Sequence, residues 1–405
     1  MSFFVSVRAR NSKFIIVGGG IHGAYLAISL LKQGMAALDD LIIIDPGDEP
    51  LSNWMAVTSN VGMDYLRSPK VHHLDTEPFS LKKFARNRSY TRPLFIAPND
   101  RPSLDLFNNH AGKVLEESRI RERFYHGLVS RVSLNKNSAS VSVNGETLKS
   151  QYVILSIGQG DNINWPDWAL AAKQRGAPVT HVLERSFSRL RLSDTATVAV
   201  IGGGMSAVHT AISLAGKDRM ILLLTPHALR QHDYDSDPGW MGPKYLTLFR
   251  RIPNPKERRS VINEARNTGS ITRDLKKKLL LLEKRNQCKV YTDSIVACTH
   301  VSASITQIRL SGGDVFGVNQ IVLATGYNST RPGGEMVDQL ASNYNLPCSE
   351  CGYPVTDVSL RWHNQLFVTG ALAELVVGPA SRNIIGARMA AEKIVRYLNL
   401  DSTNI

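Results

Sequence analysis

The chain is expected to be an α/β protein of two parallel-sheet units, each opening on a strand, a glycine turn and a helix. Three observations carry that expectation. The stretch FIIVGGGIHGAYLA at 14–27 returns 184 residues later as VAVIGGGMSAVHTA at 198–211. Each is followed by a second short apolar run, LIIID at 41–45 and RMILLLT at 219–225. The 405 residues also exceed what one hydrophobic core ordinarily spans. Strand–helix alternation that restarts once reads as two units rather than one long sheet.

The elements follow in order. KFIIVG is a β-rich run ending in glycine, IHGAYLAISLLKQG has helical spacing with a glycine at its end, and LIIID is a buried type of strand. Together they make a βαβ unit. Residues 75–130 mix helical pieces with loops. ASVSVNGETLKSQYVILSIG at 139–158 reads as a hairpin turning at NGE, followed by a buried strand. TVAVIGGG, MSAVHTAISLAG and RMILLLT then repeat the opening pattern. Residues 255–287 read as helical and charged. VYTDSIVAC, ITQIRL and QIVLATG return to strands, and NQLFVTG followed by ASRNIIGARMAAEKIVRYL ends the chain as a strand and a long amphipathic helix.

Composition narrows the class. A hydrophobic fraction of 43% and a charged fraction of 20% are those of a globular protein. No apolar run approaches the roughly 18 residues of a spanning helix, and MSFFVSVRARNSK lacks the longer apolar stretch of a secretion signal, so a cytoplasmic location is expected. Four cysteines, none before Cys288, argue against a disulfide-stapled fold. The net charge is +13. Arg250 to Arg285 alone holds twelve Lys/Arg against four Asp/Glu, a net +8. That segment reads either as a solvated helical face or as a dock for an anionic partner. No zinc spacing, stacking surface or recognition-helix pattern accompanies it, so nucleic acid is not expected.

The two turns carry the chemistry. Gly18, Gly20 and Gly23 form a full G-x-G-x-x-G. The first glycine lets the chain leave the strand tightly, the second lets a pyrophosphate approach the backbone, and the third lets helix and strand pack closely. Ile21 and His22 open the helix, whose free N–H groups and positive dipole end face the pyrophosphate. Asp45, 22 residues beyond Gly23, is placed to accept from a ribose. These residues define a Rossmann-like site for the adenine-dinucleotide half of FAD or NAD. The second turn has Gly202, Gly204 and Ala207, with Met205 and Ser206 opening its helix. Its next strand ends in Thr225, without an acid, and His227 and Arg230 follow. Without a carboxylate to repel a ribose 2′-phosphate, and with Arg230 available to pair with it, the site reads as one for NADP(H), NADH being the alternative. Two such sites in one chain suggest two redox cofactors that meet, one passing hydride to the other.

Three further segments resemble a known family. VILSIGQG at 153–160, with Gly158, and IVLATGYNSTRP at 321–332 are similar to the crossover segments of two-dinucleotide flavoproteins. The second, through Ala324, Thr325, Gly326, Tyr327 and Pro332, resembles the ATGY-x4-P motif of flavin-dependent N-hydroxylating lysine and ornithine monooxygenases and of flavin-containing monooxygenases. Asn319 departs from the acid often found before that motif. LFVTGALAELVVGPASRNIIGARMAAEKI at 366–394 resembles the closing FAD motif, a strand ending near Gly370 and a helix starting near Ala380. Ala371 stands where disulfide reductases usually carry an aspartate, with Glu374 nearby. Segments within 54–110 resemble the hydroxylases more weakly. There His72 and His73 fall in a flavin-facing region, and Arg67 is a candidate to approach the flavin or the nicotinamide. For these three a structural or surface role is the alternative.

The resemblance implies an FAD domain interrupted by an NADP domain, divided as 1–160, 161–322 and 323–405. It implies FAD at the first turn, NADPH at the second, and a monooxygenase that uses a flavin C4a-hydroperoxide to oxygenate an amine or a sulfur-type small molecule. O2 and that substrate would be its partners, and relatives often self-associate. Redox cysteine pairs of the disulfide reductases have no counterpart before residue 288. Cys348 and Cys351 form a late C-x-x-C that reads as a loop pair, one pair being too few for zinc. Cys288 and Cys298 read as core or strand residues. Two other readings stay open: a reductase passing electrons to an acidic protein, and a flavin-binding sensor without turnover.

Overall fold

The computed structural model describes residues 11–86, 92–160, 162–192, 196–216, 218–302 and 304–402. The first ten residues, most of the stretch read above for a secretion signal, lie outside them. Among the described residues no helix is long and apolar enough to cross a membrane.

Two sheets with parallel cores are built as the repeated pattern predicts, the first with antiparallel strands added at its edge. In the first, the order runs Arg361–His363, Leu366–Val368, Glu146–Leu155, Asn11–Val17, Leu41–Asp45, Phe124–His126. Asn11–Val17 lies parallel between Leu41–Asp45 and Glu146–Leu155. Phe14, Ile15 and Ile16 are at most 1% exposed, which is why the run is apolar without alternation. The NGE hairpin forms as read: Asn144 and Gly145 both have positive φ, 50° and 80°, as a two-residue hairpin turn requires. Its strands Ala139–Val143 and Glu146–Leu155 pair antiparallel, and Val129–Leu134 extends that ladder.

The second sheet runs Cys288–Thr292, Met220–Thr225, Thr197–Ile201, Gln320–Leu323, Val179–His181, all parallel. Its central strand shows the two-residue period directly. Val198 and Val200 pack into one apolar cluster with the helix Met205–Leu214, while Ala199 and Ile201 pack into another on the opposite face. ITQIRL joins a separate antiparallel sheet with Ile295–Ser302 and Val315–Val318. The charged stretch 255–287 divides into two helices, Pro255–Ala265, started by the Asn254 side-chain cap, and Arg273–Lys284, with Ser270–Ile271 between them as a short strand. The closing helix starts later than expected. Pro379–Arg382 forms a 3₁₀ turn, and the α-helix is Ile384–Ser402.

Candidate functional site

The first glycine of each turn is forced by the same contact. A Cβ on Gly18 would stand 2.5 Å from the carbonyl oxygen of Ser156, and one on Gly202 would stand 2.5 Å from that of Ala324. Ser156 and Ala324 lie in the two crossover segments, each the first residue after its strand. Each turn is therefore jammed against the place where the chain leaves its sheet, and both glycines have positive φ, 109° and 141°. Gly23 meets the third requirement, since its Cβ would fall 1.8 Å from the Gly18 carbonyl oxygen. Gly20, in contrast, faces open space, with nothing within 4 Å of an added Cβ. Gly204 is nearly as open, facing Gly269 Cα at 3.5 Å. Neither helix that follows, Ile21–Lys32 or Met205–Leu214, has a side-chain cap, which leaves its first N–H groups for a ligand. This donor set suits a pyrophosphate.

Asp45 sits over the first turn. Its Oδ2 accepts from Gly19 N–H at 2.8 Å and its Oδ1 from Gly47 N–H at 2.7 Å, so two backbone donors fix the carboxylate at the edge of the cradle. His22 points beneath it, its ring packed against Gly370 of the closing segment. Burial lowers its pKa to about 4, offset in part by a backbone hydrogen bond with Asn383. The neutral imidazole thus borders an open glycine cradle without adding charge to it.

At the second turn the place of Asp45 is taken by Thr225. Its hydroxyl donates to the His227 carbonyl at 2.7 Å, and the His227 ring comes within 3.2 Å of a Cβ added to Gly203. Arg230 lies further out, exposed on the short strand Arg230–Gln231. Ala207 is fully buried against the sheet, while Met205 and Ser206 are half-buried at the helix start.

The crossovers are tied together. Ala324 N–H donates to Ile201 O at 2.8 Å. The Thr325 hydroxyl donates to Asn164 O at 2.5 Å, so His181 Nε2–H donates to Thr325 at 3.1 Å while His181 Nδ1 accepts from Leu183 N–H. Burial lowers the His181 pKa to about 4, in keeping with that neutral tautomer. Gly326, with φ of 77°, lets Tyr327 return to pair with Ile163. Gly158 lies in the other crossover with no neighbour crowding it.

Other residues are put to different use. Arg67 reaches across to the second unit, its Nη2 donating to His232 O, Tyr234 O and Ser270 Oγ at 2.8, 2.5 and 2.9 Å. It braces a loop, and burial lowers its pKa. His73 has both ring nitrogens bonded, to Pro78 O and Asp75 N–H, and His72 is buried with its pKa lowered to about 4 by desolvation. Cys288 and Cys298 are buried, the Cys288 thiol pushed up to about 12 by desolvation, whereas Cys348 and Cys351 are free and exposed. Cys351 Sγ lies 3.3 Å from Ser349 Oγ in its hairpin.

Sequence reading missed two features. The basic segment is not simply a solvated face: Arg258 donates to Leu375 O, Arg266 to Pro379 O, and Arg259 pairs with Glu374, which is fully buried and also bound by Arg382 at 3.0 Å. Tyr353 Oη completes the network, accepting from Arg259 and Arg382. Glu374 is thus held between two arginines. The second feature is a cleft of about 830 Å³ between Pro98–Asn99 of the first unit and residues 232–267 of the second. The alternating HDYDSDPGW, at 232–240, was its only signal.

Two sheets, two open glycine cradles and crossovers pressed on both define a two-dinucleotide oxidoreductase. The chain belongs to the pyridine nucleotide-disulphide oxidoreductase family, whose profile matches residues 15–309. Comparison with curated protein sequences returns no match. Among solved structures, L-lysine 6-monooxygenase from Pseudomonas syringae aligns with a TM-score of 0.72 at 18% identity, over 96% of this chain and 99% of that one. The ornithine N-hydroxylase of Kutzneria sp. 744, with reduced FAD, NADP+ and L-ornithine, aligns at 0.71 and 15%, over 97% and 100%. The bacillithiol disulfide reductase of Staphylococcus aureus aligns at 0.62 and 14%, over 96% and 99%. At these identities the likeness is one of fold.

Proposed function

We propose that the protein is an FAD- and NADPH-dependent monooxygenase that places one oxygen atom of O2 on the nitrogen or sulfur of a small molecule. The observation that carries this over disulfide chemistry is the position of the cysteines. None precedes residue 288, two are buried, and the exposed pair sits in a late hairpin. FAD in the first cradle would supply hydride acceptance and O2 activation. The chain's own part is to hold and orient. The open face of Gly20 and the uncapped helix Ile21–Lys32 receive the pyrophosphate, and Asp45 stands where the ribose would lie. At the second cradle the uncapped helix Met205–Leu214 receives NADPH, with Thr225 leaving room for a 2′-phosphate. For an amine, N–H becomes N–OH, the second oxygen atom leaves as water, and NADPH supplies the two electrons.

The test is stoichiometry. With a panel of amines and sulfides, one O2 and one NADPH should disappear per oxygenated product, with little hydrogen peroxide released. NADPH oxidation without product, joined to salt-sensitive reduction of an acidic electron carrier, would replace this reading with the reductase. Protein that binds FAD but is never reduced by NADPH would replace it with the sensor.

A further inference from the structure

The chain passes between its two units in the crossovers near 156–164 and 324–328, and these are bonded to each other: Asn164 N–H donates to Gly326 O at 2.9 Å and Asn328 N–H to Asn162 O at 3.0 Å. Two paired segments by themselves make a hinge, and relative motion is the ordinary behaviour of units joined in that way. Two further sets of contacts span the units here. In the first, Arg101 is 1% exposed and pairs with Asp274, in the first turn of the helix Arg273–Lys284, at 2.5 Å. One turn on, Lys278 pairs with Asp64 at 2.7 Å, and Arg67 makes its three bonds to His232, Tyr234 and Ser270. In the second, Arg258, Arg259 and Arg266 hold Leu375 O, Glu374 and Pro379 O of the closing segment.

The arginines of the second set stand on an arm, residues 232–269. The arm lies between Arg230–Gln231 and Ser270–Ile271, short strands that pair with each other, and takes no part in the second sheet. Its apolar side is buried against the other unit. Leu246, Phe249 and Ile262 form one cluster with Tyr353 and Leu375, and Met389 of the closing helix packs beside them. Among the described residues that cluster has no member from the second sheet or from the helix Met205–Leu214. Tyr353 belongs both to this cluster and to the network around Glu374. The arm also reaches both cradles. At its base Gly269 Cα lies 3.5 Å from a Cβ added to Gly204 of the second cradle. At its far side Arg259 holds Glu374, four residues from Gly370, which packs on the His22 ring under the first cradle.

We infer that residues 232–269 are a strut that fixes the second cradle in one orientation against the first, so that hydride passes between the two nucleotides without one unit turning on the other. Turning would withdraw Arg259 from a fully buried carboxylate and Arg101 from Asp274, and would expose the apolar cluster, so the turned arrangement is disfavoured by charge and by apolar surface together. Arg101, Arg259 and Glu374 are then positioning residues, acting through the placement of the two cradles. The inference rests on the reading of those cradles as FAD and NADPH sites.

Orientation is measured apart from turnover. Small-angle X-ray scattering of the full-length, FAD-bound protein is recorded without oxygen in three states: oxidised, reduced by dithionite, and reduced with NADP+ present. The parent should give one profile in all three, and a profile that shifts between states by the turn of one unit overturns the inference. Asp274→Asn combined with Glu374→Gln loosens both sets of contacts while keeping their shape, and should make the profile state-dependent. In that double variant flavin reduction at saturating NADPH should slow by about tenfold or more, because the donor is misplaced, while the KM for NADPH changes by less than about twofold. Reduction by dithionite, which needs no alignment, should keep its rate. Arg259→Lys, which keeps the charge, should stay near the parent where Arg259→Met does not. Ile308→Ala, in a core cluster apart from both sets of contacts, controls for lost stability: it should melt lower and leave the reduction rate unchanged. A double variant with the parent's profile in every state and the parent's reduction rate overturns the strut. Scattering and anaerobic reduction both precede any step with O2. A parent that is reduced with one fixed profile yet forms no oxygenated product therefore removes the monooxygenase and leaves the strut, whereas a state-dependent profile with full product removes the strut alone.

Discussion

Gly18 and Gly20 stand two residues apart and should fail in opposite ways when given a side chain. Gly18 is strained by φ of 109° and by the Ser156 carbonyl, so Gly18→Ala should cost about 1–3 kcal/mol of stability, read by denaturant unfolding. Gly20 has room, so Gly20→Val should fold with a near-parental melting temperature and lose FAD, because the new side chain occupies the space where a pyrophosphate meets backbone. Normal flavin content in that variant would remove the first turn from the assignment. The two strand-end residues allow a second test. Thr225 Oγ1 comes within 2.5 Å of a Cβ added to Gly203, much as Asp45 Cβ comes within 3.2 Å of one added to Gly19. Thr225→Asp should therefore raise the KM for NADPH by about tenfold or more through repulsion of the 2′-phosphate, and should spare NADH. Equal changes for the two nucleotides would place the phosphate elsewhere.

Between elements, the arginine-rich helix Pro255–Ala265 is fastened to the closing segment by charge. Glu374 is fully buried, and Arg259 is 13% exposed. Arg259→Ala leaves Glu374 with Arg382 alone and should cost about 3 kcal/mol, since a buried charge that loses a partner is not rescued by water. Arg259→Met with Glu374→Gln should recover part of that loss in a double-mutant cycle, because the pair is removed rather than broken. Additive losses would mean that the two side chains do not couple. The sequence could not disclose this contact, because Arg259 and Glu374 are 115 residues apart and a helical run of like charge looks the same whether it faces water or a buried carboxylate. The glycine turns were legible for the opposite reason. Their requirements are local: a strand, a positive φ, a close approach and a helix all fall within a dozen residues. The crossovers were legible as segments, but not their role in pressing on Gly18 and Gly202. The interdomain cleft draws on residues near 98, 233–245 and 261–267, and no local spacing marks such a gathering.

At the scale of the whole molecule, burial of histidine links the fold to pH. His22, His72, His110, His181 and His209 each have a pKa lowered from 6.5 to about 4, chiefly by desolvation. Unfolding returns each to its ordinary value, so between pH 6.5 and 4 the unfolded chain binds more protons than the folded one. Stability from this source is complete above 6.5 and is lost as pH falls through 4, with up to five protons taken up on unfolding. Asp75 acts lower: Lys32, Ser80 and the Glu77 N–H hold its pKa near 2, so its contribution fades only below 3.8. The histidines belong to both units, His22 under the first turn and His209 in the helix of the second. The acid transition should therefore loosen both cradles together rather than release one intact. Denaturant melts between pH 7.5 and 4.5 should show stability falling with a slope of several protons, and FAD loss should track it. His209→Asn, at a position remote from the first cradle, should reduce the slope by about one proton at unchanged flavin content. A slope of one proton or less would mean that these imidazoles are charged in the folded state, and the neutral His22 placed beneath the first cradle would fall with them.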